Sequence, residues 1–239
     1  MFLKKIELQH EHIPSFNEYP FSIPAIKNLK ELYFEKPVTF FVGENGTGKS
    51  TLLEAIAYKC EFNTAGGGRN NYFHLPQSES ALGEYVRLSW LPKVTKGFFL
   101  RAESFYNFAI HIDEIGIYDS YGGRSLHEQS HGESFLSVFT NRFQGQDKAI
   151  YLLDEPEAAL SPQRQLSFLK ILHDLTMSGN SQFIIATHSP ILLGYPNATI
   201  YSFDNDQIQK IDYEMTEHYQ ITKYFLQNRE KFLREILGN

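Results

Sequence analysis

At 239 residues, with 42% hydrophobic and 15% aromatic residues, the chain holds enough apolar material for one substantial core, which excludes a wholly disordered protein. The formal net charge of -6 speaks against a broad phosphate-binding surface, leaving only a local positive groove open to nucleic acid. The single cysteine, Cys60, excludes an internal disulfide; with no apolar leader at the N-terminus and no apolar run near the roughly 18 residues of a bilayer span, the expectation is a soluble cytoplasmic protein without direct membrane insertion.

In chain order, the opening residues through about Leu8 alternate as a strand, and 38–42 form a denser apolar strand ending in glycine. Leu52, Leu53, Ile56 and Ala57 at helical spacing predict a helix over 50–58, and the polar, glycine-bearing passage 62–77 reads as a loop. Residues 85–90 and 97–100 read as two strands of an antiparallel region. From 104 to 143 helical fragments alternate with turns, which predicts a helical subdomain.

The apolar strands 149–153 and 183–186 flank a helix predicted over 162–177, capped by Ser161 with Pro162 in its first turn, a β-α-β unit. Residues 199–203 and 207–211 read as a hairpin around Asp204, Asn205 and Asp206. The last 25 or so residues read as one amphipathic helix with Ile221, Phe225, Phe232 and Ile236 on a face. The whole, 1–239, is expected to be a single α/β domain: a mixed sheet with flanking helices, an antiparallel edge sheet and a helical insert.

Gly43, Glu44, Asn45, Gly46, Thr47, Gly48, Lys49 and Ser50 fit the P-loop pattern G-x-x-x-x-G-K-[ST] between a strand and a helix, with Thr51 next in that helix. Glycines let the backbone curl so that its N–H groups face phosphate oxygens; Lys49 would reach the β- and γ-phosphates and the Ser50 hydroxyl would bind Mg²⁺. A plain glycine turn before a helix is the alternative. At the end of the 149–153 strand, Asp154 is placed to hold hydrated Mg²⁺ and Glu155 to polarise the attacking water, against the alternative of an acidic turn. His188, after the next apolar strand, can donate to a γ-phosphate oxygen or orient water, or serve only as a structural hydrogen-bonding group.

The order and spacing of these motifs resemble the ABC ATPase superfamily, especially compact soluble members akin to the heads of DNA-repair and chromosome-maintenance (SMC-like) ATPases. In that resemblance residues 43–50 look like Walker A, 152–156 like Walker B with its catalytic glutamate, 158–161 like the D-loop and His188 like the switch histidine. The signature motif is matched by Gln129, Ser130, His131, Gly132 and Glu133, which implies that Ser130 and Gly132 contact the γ-phosphate held by a second subunit. Glu103 stands where a glutamine commonly senses Mg²⁺, and Ser161 stands where the D-loop usually has aspartate. The resemblance implies Mg²⁺-dependent ATP hydrolysis by Lys49, Glu155 and His188 and an ATP-dependent homodimer. Three roles remain open: a switch or motor in nucleic-acid or stress metabolism, the ATPase subunit of a transporter, and a nucleotide-dependent module that binds a protein partner.

Overall fold

The computed structural model describes residues 1–64, 66–68, 81–102, 105, 109–110, 112, 131–142 and 147–238. In chain order the strands are β1 (Leu3–Leu8), β2 (Glu31–Tyr33), β3 (Val38–Val42), β4 (Val86–Trp90), β5 (Lys96–Arg101), β6 (Ala149–Asp154), β7 (Ser181–Ala186), β8 (Ala198–Ser202) and β9 (Gln209–Lys210). The helices are α1 (Pro24–Lys27), α2 (Lys49–Lys59), α3 (Ala81–Glu84), α4 (His131–Ser137), α5 (Pro162–Met177), α6 (Pro190–Leu193), α7 (Glu217–Gln227) and α8 (Arg229–Leu237).

Strands that are apolar at nearly every position need cover on both faces, and they gather in a parallel sheet with helices on each side. β3, β6 and β7 are buried throughout and form the interior of a six-stranded sheet of order β5-β6-β7-β3-β8-β9, parallel except for the β8–β9 pair. Successive side chains alternate between the faces. Ile150, Leu152, Ile184 and Phe41 pack with Leu52, Leu53 and Ile56 of α2 on one side, while Tyr151, Leu153, Phe183 and Phe40 pack with Phe168 and Leu172 of α5 on the other.

A three-stranded antiparallel sheet, β2-β1-β4, covers the α2 side. One tie to the larger sheet is Gln182, fully buried in β7, whose Oε1 accepts from the N–H groups of Phe2 (2.7 Å) and Leu3 (2.9 Å) while its Nε2 donates to the Leu3 carbonyl (2.9 Å); another is the Tyr201 hydroxyl of β8, which donates to the Tyr33 carbonyl of β2.

The mixed sheet, flanking helices and antiparallel edge sheet are as the sequence predicts, and α5 spans the expected residues with the Ser161 Oγ accepting from the Arg164 N–H. Two expectations need correction. Strands β4 and β5 do not form one antiparallel region: β4 pairs with β1 and β5 runs parallel to β6. The reason lies in β5 itself, where Phe98, Phe99 and Leu100 in succession are buried and suit the doubly covered sheet, while β4 is buried mainly at Val86. Nor is the C-terminal segment one helix. Asn228, at φ -131° and ψ 34°, leaves helical geometry and separates α7 from α8, and Phe225 meets Phe232 edge-on across the break at 5.6 Å.

Cys60 packs, buried, at the end of α2. Of the expected loop 62–77, residues 65 and 69–77 lie outside the described residues, as does most of the expected helical insert 104–143. The described part of the insert includes α4 and a π-helical continuation, Val138–Arg142, with Phe135 and Phe139 packed against Phe168.

Candidate functional site

Because β3, β7 and β6 are adjacent and parallel, their carboxyl ends share one edge of the sheet, where open α/β folds place ligands. The P-loop leaves β3 there. Gly43 (φ 144°), Gly46 (φ 82°) and Gly48 (φ 100°) all have backbones that side-chain-bearing residues rarely adopt, which gives the motif's spacing its physical cause. The loop's entry is pinned from β8's end: Asp204 Oδ1 accepts from the Glu44 N–H at 3.0 Å, and a Cβ on Gly43 would lie 2.9 Å from that oxygen. Lys49, at the start of α2, is buried and donates to the carbonyls of Gly43 (2.6 Å) and Glu44 (2.8 Å). Burial pushes its ammonium below the ordinary 10.5, against the opposing pull of Glu155, Asp204, Asp154 and Glu44. Thr47 Oγ1 donates to the Glu44 carbonyl, Asn45 is exposed, and Thr51 lies 3.3 Å from the Tyr19 hydroxyl.

At the second residue of α2, Ser50 Oγ donates to Asp154 Oδ1 at 2.8 Å, joining the first motif to the second across β7. The other Asp154 oxygen accepts from Arg101 Nε at 3.1 Å, and the same guanidinium pairs with Glu54 of α2. Burial works against the Arg101 charge, but Glu54 and Asp154 outweigh it and hold the group above its ordinary value, so it is a permanent cation. Ser50, Arg101, Ala102, Asp154 and Glu155 line a cavity of about 230 Å³.

The Ser50 hydroxyl and Asp154 carboxylate are hard oxygen donors within reach of one ion. Among the described residues no three His, Cys, Asp or Glu side chains converge into a metal-ligating group. The donor set therefore fits a small divalent cation held by few protein oxygens together with phosphate and water.

Glu155 is a non-glycine residue in the left-handed region (φ 50°, ψ 52°), held there by its N–H donating to the Ala186 carbonyl at 2.9 Å. Such strain costs on the order of 1–3 kcal/mol and clusters at functional sites. Its Oε1 lies 3.6 Å from His188 Nε2. The backbone of His188 is fixed by its N–H donating to Glu157 Oε1 at 2.6 Å, and its Nδ1 lies 2.9 Å from Nε2 of His218, the second residue of α7. Burial lowers the His188 pKa from 6.5, helped by the positive charge of Lys49 and by His218 and opposed by Glu44 and Asp154.

The structure thus brings Lys49, Ser50, Asp154, Glu155 and His188 to one edge. Glu103 and Ser130 lie outside the described residues. Gly132 is buried in α4 against the D-loop segment: a Cβ there would lie 2.5 Å from Arg164 Nη1 and 3.1 Å from the Ala159 carbonyl, while Arg164 also pairs with Glu133 at 3.1 Å. Sequence reasoning missed Glu54, Arg101, Asp204 and His218 as parts of the site. A charged residue ending an apolar strand was the available signal for Arg101; Asp204 was read only as a hairpin turn, and nothing local marks His218.

The family described as AAA domain (AAA_23) matches residues 12–236. A stretch of 47 residues is 47% identical to protein ea59 of Escherichia phage lambda, which spans 20% of this chain and 9% of that protein. Among solved structures, the SMC head domain from Thermotoga maritima is similar at 19% identity over 89% of this chain and 100% of that one, with a TM-score of 0.50. A second SMC head, solved bound to the C-winged helix domain of ScpA, is similar at 15% identity over 88% and 98% with a TM-score of 0.52. The cbiO1 protein from Clostridium perfringens, part of the ABC transporter complex cbiONQ, is similar at 18% identity over 96% of each chain with a TM-score of 0.53. At these identities the solved structures speak for the fold, while the family match spans nearly the whole chain. With the P-loop and acidic strand end brought together across β7 as described, the chain belongs to the AAA domain family, with a fold that resembles SMC heads and the ATPases of ABC transporters.

Proposed function

We propose that the protein binds ATP with Mg²⁺ and hydrolyses it, and that two chains close around two nucleotides as a cytoplasmic switch of the DNA-repair or stress type. The observation that carries the reading is the 2.8 Å contact of Ser50 with Asp154, beside which Glu155 and His188 stand 3.6 Å apart. Lys49 and the P-loop N–H groups bind and orient the phosphates. Glu155 takes the proton of the attacking water, and its strained backbone keeps the carboxylate facing His188 rather than retracting into the turn. His188 orients that water or donates to a γ-phosphate oxygen. Ser50 and Asp154 would hold Mg²⁺, which would supply charge neutralisation at the phosphates.

In the proposed dimer Ser130 and Gly132 of each chain would meet the nucleotide held by the other, and Glu103 would stand in for the glutamine that senses Mg²⁺. Packing of Gly132, in α4, on Arg164 and Ala159 supports this by joining the described end of the signature motif to the D-loop. Glu44 and Asn45 within the P-loop favour the DNA-repair-like branch over transporter subunits. No helix among the described residues is long and apolar enough to cross a membrane.

The test is the Glu155→Gln protein. Nucleotide binding should persist while phosphate release falls by about 10²-fold or more. Light scattering should give twice the monomer mass with ATP-Mg²⁺ but not with ADP-Mg²⁺, and DNA or RNA should stimulate turnover of the wild type. Unchanged phosphate release would remove Glu155 from catalysis, and a monomer at saturating ATP would remove the sandwich.

A further inference from the structure

The residue that touches His188 from outside the motifs is His218. It sits in the first turn of α7, and the start of that helix is anchored to the very segment that follows His188. Thr216, fully buried, caps α7 by accepting from the Tyr219 N–H; Tyr213 donates its hydroxyl to the Pro190 carbonyl at 2.9 Å and stacks on Tyr219 at 4.6 Å. Pro190 opens α6, two residues after His188, and Ser189 caps α6 while donating to Gln165 of α5. The two imidazoles are therefore held by one rigid corner rather than by a chance approach of mobile side chains.

Which nitrogen carries each proton follows from the surroundings. One of the pair must donate across the 2.9 Å between His188 Nδ1 and His218 Nε2. If His188 donated, its Nε2 would present a lone pair to the Glu155 carboxylate 3.6 Å away, a repulsive arrangement. If His218 donates, His188 carries its proton on Nε2, facing Glu155, and the arrangement is attractive. The remaining atom, His218 Nδ1, is then an unprotonated nitrogen, and it is buried with no hydrogen-bond partner among the described residues, as is His188 Nε2. Either assignment leaves one buried N–H without a hydrogen bond, and the second places it on His188 Nε2, 3.6 Å from the Glu155 carboxylate that attracts it, which decides between them.

We propose that His218 is a positioning residue that donates from Nε2 to His188 Nδ1 and so fixes His188 as the Nε2–H tautomer, the form that can donate to a phosphate oxygen or to the attacking water. Its catalytic consequence rests on the hydrolytic reading above; the tautomer itself does not. The pairing also makes α7 a structural input to the nucleotide edge, since any shift of that helix changes the partner of His188.

The experiment is long-range ¹H–¹⁵N NMR of the imidazoles in the nucleotide-free protein, with His188 assigned by the loss of its signals in His188→Asn. The wild type should show His188 protonated on Nε2. In His218→Ala the His188 signals should move toward a mixture of tautomers. In His218→Gln, whose amide N–H can stand where the imidazole N–H stood, the Nε2–H form should return. In parallel, kcat should fall about 10- to 100-fold in His218→Ala with the KM for ATP unchanged, and recover in His218→Gln. A His188 proton on Nδ1 in the wild type, or the same tautomer in wild type and His218→Ala, would overturn the proposal. If His218→Ala fails to fold, the wild-type and His218→Gln spectra decide. A wild type with no turnover would remove the hydrolytic reading instead, and the spectra would still judge the tautomer.

Discussion

Arg101 is the group whose removal says most about the site, because it holds one oxygen of Asp154 while Ser50 holds the other. In Arg101→Met the carboxylates of Glu54 and Asp154, with side chains only 14% and 6% exposed, lose their shared cation and are left as like charges without it. Breaking a buried ion pair by removing one partner costs about 3–5 kcal/mol. Arg101 is itself 21% exposed, so water can screen part of the loss, and the lower end, about 3 kcal/mol, is the better expectation. For a chain of this size that lowers Tm by roughly 6–12 °C.

The decisive feature is how that deficit responds to ligand. A divalent cation bound between Ser50 and Asp154 would replace part of the missing positive charge, so the variant should gain more stability than the wild type from ADP with Mg²⁺. Thermal unfolding of both proteins, with ADP-Mg²⁺ and with ADP-EDTA, measures this directly. The gap between them should narrow in the first condition and persist in the second. An equal gap in both would refute the reasoning and leave Arg101 as a structural ion pair unconnected with the metal.

The joint between the two sheets should be equally sensitive: Gln182→Ala strands the buried N–H groups of Phe2 and Leu3 without an acceptor, at about 1–3 kcal/mol for each, and should shift the urea midpoint accordingly. An unchanged midpoint would mean that β1 is held by its strand partners alone. For His188 the sign of the pH effect is fixed by a folded pKa below 6.5: between that value and 6.5 the unfolded chain binds more protons than the folded one. The His188 contribution to stability is therefore complete above pH 6.5 and is lost as pH falls through that window. Unfolding free energies measured on both sides of 6.5 should show this acid-side loss in the wild type and a smaller one in His188→Gln.

What could be read in advance was whatever a short window of sequence determines. Residues 38–42 are apolar at every position but Thr39 because both faces of β3 are covered, and the bounds of α5 follow from Ser161, Pro162 and the periodicity behind them. The same holds for the P-loop, whose glycines answer to local backbone angles. Pairings are a different matter. Strands β4 and β5 are neighbours in sequence yet enter separate sheets, since the choice depends on which surfaces β1 and β6 offer. Asp204 meets Glu44 over a separation of 160 residues, Arg101 meets Asp154 over 53, and His218 meets His188 over 30 from a segment that reads only as an amphipathic helix.

The non-sequential order of the sheet explains why these distant partners form one site. Strand β7 follows β6 in the chain but lies between β6 and β3, so the P-loop and the acidic strand end are separated by the width of the strand that carries His188. The backbone bonds at this edge record the insertion: the Thr187 N–H donates to the Phe41 carbonyl at 3.1 Å on one side, and the Ala186 carbonyl accepts from the Glu155 N–H on the other. The left-handed conformation of Glu155 is held by that bond to β7, and the Ser50–Asp154 contact spans the same strand. A late-arriving strand thus sets the spacing of two motifs that the sequence presents as independent. His188 occupies the middle of the edge for that reason, and α7, whose start is docked through Tyr213 and His218 to the turn that leaves β7, reaches Glu155 at the acidic strand end by touching one histidine.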